Sequence, residues 1–166
     1  MQTADYWIEK LGMEAHPKGG FFKETYKSSE SFAHEGLPTR FNGARVFSTG
    51  IYFLIKKGHF SAFHKIKSDE MWHFYEGHPL EICYIDSDGV LNIIKLGSEF
   101  EKGEEFQAVV PANCWFGSYL PENSDYALVG CTVSPGFDFE DFEMADRADL
   151  LKLYPDYSDI ILKLTH

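Results

Sequence analysis

At 166 residues the chain has room for one hydrophobic core but not comfortably for two, so residues 1–166 are read as a single domain. Its 44% hydrophobic and 25% charged content is that of an ordinary globular chain and excludes a disordered or collagen-like polymer. A formal net charge of -11, with arginine only at positions 40, 45 and 147, argues against nucleic acid or an anionic membrane as partner, since both need clustered Lys and Arg.

Cys83, Cys114 and Cys131 are odd in number and lack CxxC spacing, so they read as reduced thiols. Met1 to Asp5 carries neither a basic nor an apolar leader pattern, and no apolar run approaches the length of a membrane span. The expected location is the cytoplasm.

In chain order, residues 3–12 read as a short helix, with Thr3 as N-cap and Gly12 as its stop. His16-Pro17-Lys18-Gly19-Gly20 breaks the chain, and Phe21–Tyr26 follows as a first strand. Residues 28–42 are polar and irregular, and read as an excursion. From 44 to 134 the pattern is strand after strand: Val46–Ile55, Ser61–Ile66, Glu70–Glu76, Leu80–Asp86, Val90–Leu96, Phe106–Val110, Cys114–Leu120 and Tyr126–Val133. Aromatic richness, with 15 Phe and 9 Tyr, suits such a β core. The stretch Phe137–Asp149 is acidic and reads as a solvated face or dimer edge anchored by Phe137, Phe139 and Phe142; helices are expected at Ala148–Leu153 and Tyr157–Leu164. The pattern predicts an all-β sandwich, jelly roll or closed barrel with short terminal helices.

The segment from Gly58 to Gly77 carries the chemistry. It resembles the first motif of the cupin superfamily, with Gly58, His64, Glu70 and Gly77 at the expected spacings and Ile66 where a second histidine stands. Glu105–Leu120 resembles the second motif, centred on Pro111, with Phe116 at the position of the metal-binding histidine and Asn113 at that of a glycine. His16–Tyr26, Ser48–Ile55, Ser68–His73, Gln107–Pro111 and Leu128–Phe139 extend the likeness over roughly residues 5–160, to the fifth cupin family, a domain of unknown function similar in fold to sugar-nucleotide epimerases. The resemblance implies a cupin-type double-stranded β-helix, a jelly-roll barrel, in a homodimer with a buried polar pocket. It does not by itself imply a reaction.

Period-2 alternation aims His64 and Glu70 into the barrel. With Ile66 and Phe116 supplying hydrocarbon, two ligands remain of four. No tightly held cofactor or metal is therefore expected; the alternative is a weakly bound divalent ion on His64 and Glu70, completed by His73 or His59 and water. Buried, Glu70 would gain a raised pKa suited to proton transfer, unless it pairs with Arg45 or Lys65. His64 is either a site residue or a barrel-lining histidine bonded to a carbonyl.

His73 reaches the pocket only if a bulge interrupts the alternation, and otherwise lies on the outer layer. Trp72 is a pocket wall or core. Arg45 clamps an anionic substrate group or pairs with a glutamate, and Tyr52 and Gln107 are candidates by parity. Glu24 lies in a Gly-Phe-x-x-Glu stretch that is similar to one in rhamnose-pathway epimerases. The expected function is a metal-independent isomerase or epimerase-like enzyme acting on a sugar-like or small polar substrate by general acid–base chemistry, with catalytic His64, Glu70 and His73. The alternative is a non-catalytic ligand-binding protein, a sensor or carrier.

Overall fold

The computed structural model describes residues 1–166. Helix α1 spans Ala4–Leu11: the Thr3 side chain accepts from the Tyr6 N–H, and Gly12 closes the helix in the left-handed conformation. Strands β1 (Glu14–Ala15), β2 (Phe21–Lys27) and β3 (Ser31–Phe32) follow. The expected strand Val46–Ile55 divides into β4 (Arg45–Val46) and β5 (Thr49–Lys56), because β4 turns aside to pair with β3 while β5 joins the main sheet. The later strands form close to their expected limits: β6 (Phe60–Lys65), β7 (Asp69–Gly77), β8 (Leu80–Ile85), β9 (Leu91–Leu96), β10 (Gln107–Val110), β11 (Trp115–Tyr119) and β12 (Tyr126–Ser134). A two-residue strand β13 (Glu143–Met144) and helices α2 (Arg147–Leu153) and α3 (Ser158–Lys163) complete the chain. No helix is long and apolar enough to cross a membrane.

Two antiparallel sheets face each other. One has the order β1-β2-β5-β12-β7-β10, the other β13-β6-β11-β8-β9. Alternation sends Phe53, Ile55, Trp72, Phe116, Val129 and Cys131 into the space between them, where they form the main core. Each fully buried side chain of this size contributes about 1.5–3 kcal/mol. The outer face of the first sheet is covered by α1, over Leu54, Tyr126 and Leu128; that of the second is covered by α2 and α3, over Phe63 and Cys83.

The motif residues hold the fold at tight points. Gly77 has φ 101°, and a Cβ there would collide with the Tyr126 carbonyl, so only glycine fits. Asn113, at the other motif's glycine position, still adopts positive φ (63°), which asparagine tolerates better than most residues.

Glu140, Glu143, Asp146 and Asp149 of the acidic segment are exposed, in keeping with a solvated face, but Asp141 departs from that role. After β12 the chain crosses the mouth of the barrel as a strap, through a 3-10 turn at Phe139–Asp141, and β13 then pairs with β6. Asp141 is buried and accepts two hydrogen bonds from Arg45, from Nε at 2.9 Å and from Nη2 at 2.8 Å. A forked guanidinium–carboxylate pair of this kind fixes both partners in orientation. The strap is latched.

Candidate functional site

Between the sheets, beneath the strap, lies a cavity of about 90 Å³. The sheet side of its wall is built by register. Val133 on β12 lies opposite both Thr49 and Glu70, and Cys131 opposite Ile51; all five line the cavity. His64 and Ile66 close it from the second sheet, and Phe137, Phe139 and Phe142 from the strap. Its rim is marked by Glu24 and by Phe139, which is 58% exposed.

The turn between β1 and β2 supplies two further residues, His16 and Lys18. Gly19 has φ 104° and lies so close to β6 that a Cβ would collide with the Phe60 carbonyl. The Lys18 carbonyl accepts from the Ala62 N–H at 2.8 Å. The glycines thus press the turn against the barrel and drive the lysine inward. Lys18 is only 3% exposed. Its ammonium makes no ion pair and lies over aromatic faces, 4.5 Å from the Phe53 ring centre and 5.5 Å from that of Trp72. Such contacts contribute about 0.5–2 kcal/mol each, against a burial penalty of several kcal/mol per ion. No carboxylate of the chain makes direct contact with the charge.

Both histidines of the cavity are neutral and carry their protons on opposite nitrogens. His16 Nδ1 accepts from the Lys18 backbone N–H at 3.1 Å, which places the ring proton on Nε2. Burial, aided by Lys18, holds its pKa down at about 3. His64 Nδ1 sits 2.7 Å from the Ala62 carbonyl, an acceptor only, so Nδ1 carries the proton and Nε2 offers a lone pair. Burial, and then Lys18, push this ring well below the ordinary histidine range; it is 2% exposed. Phe116 packs against it, with ring centres 4.1 Å apart.

Glu70, 5% exposed, pairs with neither Arg45 nor Lys65. Burial raises its pKa, and Lys18 and the Cys131 thiol oppose that shift. The Cys131 thiol is itself pushed well above its usual value, first by burial and next by Glu70, so it is a hydrogen-bond donor and not a nucleophile. The cavity therefore presents a carboxyl group, an imidazole acceptor, an imidazole N–H and an ammonium.

Of the residues singled out from sequence, His64, Glu70 and Glu24 line this cavity. The others do not. Arg45 is 4% exposed and is held in the latch with Asp141, with Glu140 at 3.4 Å, so it has no free fork for a ligand. His73 keeps strict alternation and lies on the outer face, where Nε2 is 2.9 Å from the Thr132 hydroxyl and Nδ1 is 3.3 Å from the Gln107 amide. Gln107 therefore belongs to the same outer face. Tyr52 also points outward, beneath α1 and against Tyr75. Trp72 is wholly buried core, in edge contact with Phe53 and Phe116. His16 and Lys18 are site residues that the sequence reading placed in a chain break; their signal was the adjacent glycine pair, which marks a turn pressed against backbone.

The donor set does not fit a metal ion. His59 is exposed and packs near Phe21, His73 is on the outer face, and no group of three or more His, Cys, Asp or Glu side chains converges. Lys18 adds a positive charge within electrostatic reach of both His64 and Glu70.

A family model described as Cupin superfamily (DUF985) matches residues 5–145. The chain is 31% identical to the uncharacterized protein YML079W of Saccharomyces cerevisiae over 146 residues, 82% of this chain and 72% of that one. Among solved structures, protein SO0799 from Shewanella oneidensis is 39% identical, with a TM-score of 0.89 over 100% of this chain and 99% of that one. A hypothetical protein from Leishmania major is 34% identical, with a TM-score of 0.90 over 99% of each chain.

Proposed function

The chain belongs to the DUF985 family of the cupin superfamily, and from that premise we propose that its barrel cavity is a metal-independent proton-transfer site of isomerase or epimerase character for a small polar substrate. The observation that carries this reading is the pair of neutral histidines with opposite tautomers across one cavity. His64 Nε2 takes a proton from a substrate C–H or O–H. Glu70, whose hold on a proton burial strengthens, gives one back, and the His16 Nε2–H orients or stabilises the oxygen that gains charge. Groups of different proton affinity in one dry cavity are what such an exchange needs.

A specific observation favours a second reading. Burial and Lys18 make His64 a weak base, while Lys18 itself has no ion-pair contact, which suits a carrier or sensor that binds without turnover.

The experiment begins with native mass spectrometry of protein purified without added ligand, to identify what the cavity retains. NMR in deuterated water then follows hydrogen exchange on that compound. Exchange catalysed by the wild type should slow by about 100-fold or more in His64→Gln and in Glu70→Gln. Full exchange in both variants overturns the assignment; retention without exchange in the wild type makes the protein a binder.

A further inference from the structure

Lys18 is the one buried charged group of the cavity wall that the proton-transfer reading leaves without a task. It is nine-tenths buried, aimed among aromatic rings, and joined to no carboxylate. The three arginines are engaged elsewhere: Arg45 on Asp141, Arg147 on Thr165 and Arg40 on the Lys67 carbonyl. Lys18 therefore faces the cavity with no carboxylate in ion-pair contact; Glu70, within its electrostatic reach, is opposed in ionising by burial, so the ammonium has room for a carboxylate from outside the chain.

We propose that the cavity is a receptor for a small aliphatic monocarboxylate, whose headgroup is held by the Lys18 ammonium and whose short apolar tail lies against the strap phenylalanines. This rests on reading the cavity as a ligand site, and on nothing about turnover.

Several features select this class. A single cation matches a single negative charge; a phosphate or dicarboxylate would bury a second charge unpaired. Glu24 at the rim adds repulsion toward any anion that extends outward. The remaining polar groups of the lining, the His16 Nε2–H and the Glu70 carboxyl, are few, enough for the two oxygens of a carboxylate and too few for a phosphate. Most of the rest of the lining is hydrocarbon: Phe22, Ile51, Ile66, Val133 and Phe142. The volume of about 90 Å³ suits a few non-hydrogen atoms.

The test uses propionate and its uncharged isostere propionamide, with calorimetric titration of the whole protein in a chloride-free buffer. Propionate should bind at least about tenfold more tightly than propionamide, a difference of about 1.4 kcal/mol. Lys18→Met keeps the apolar stem over Phe53 and Trp72 and removes the charge. It should lower propionate affinity to that of propionamide while leaving the melting temperature unchanged or raised. Equal affinity for the two probes, no binding of either, undiminished propionate binding by Lys18→Met, or displacement by chloride at equal concentration each overturns the proposal. The probe comparison on the wild type decides the matter even if the variant fails to fold. Failure of proton transfer reads out separately, as propionate binding without any hydrogen exchange on the retained ligand.

Discussion

Two cations are buried in this barrel, at almost the same depth and with opposite surroundings. Arg45 meets Asp141 through two short hydrogen bonds and has Glu140 nearby; Lys18 lies over aromatic faces and makes no ion pair. The first is saturated by the chain, and its consequence is mechanical: it fastens the strap. The second is without an ion pair, and its consequence is chemical: it adds to the depression that burial imposes on two imidazoles, and it leaves room for an anion. Burial of charge alone does not distinguish architecture from function. Whether the chain itself supplies the partner does.

The largest effect should come from breaking the saturated pair. Arg45→Met leaves Asp141 buried without its partner and should destabilise the fold by about 3–5 kcal/mol, measured as a lowered urea midpoint. If the midpoint barely moves, the latch is not a structural element and the contrast with Lys18 fails.

A smaller, graded effect should follow from acid. His16 and His64 are both held below their unfolded values, so the stability they contribute is full above about pH 6.5. It is lost as pH falls toward about 3, the folded value of His16, at up to about 1.4 kcal/mol per pH unit for each ring. Glu70 has the opposite sign: its raised pKa contributes stability that is present below its unfolded value and lost as pH climbs through the elevated one. Denaturant titrations between pH 7 and pH 4 should show the acid limb flattened by His16→Gln and eased by Lys18→Met, since the ammonium contributes to the depression of both histidines. An unchanged limb in both variants would contradict this coupling.

The smallest effect should come from the outer face. His73→Ala removes a half-buried ring whose partners, Thr132 and Gln107, are both exposed, and should change stability by no more than about 0.5 kcal/mol and propionate binding not at all. A loss of binding would return His73 to the site.

The strands and the inward aim of His64 and Glu70 were legible because alternation and motif spacing are local properties. Gly77 and Asn113 illustrate how firmly: the first can only be glycine, and the second keeps the required positive φ with a different residue. Arg45 was not legible in the same way, since its partner lies 96 residues away in a segment whose acidity resembled a solvated surface. Lys18 was hidden for a related reason. Lysine is almost never buried, and a Pro-Lys-Gly-Gly run signals a turn without saying on which side of the turn the barrel lies. The strap phenylalanines were recognised as anchors, but only the pairing of β13 with β6 shows that they anchor onto the cavity.

The lysine turn has one further consequence. A charge that arrives as part of the polypeptide is present once in every folded copy, whatever the ionic composition of the surroundings. No chelator can strip it and no competing ion can replace it. What a barrel gains in this way is constancy of occupancy, and the burden falls on folding, which must bring a solvated ammonium indoors before any ligand is there to receive it.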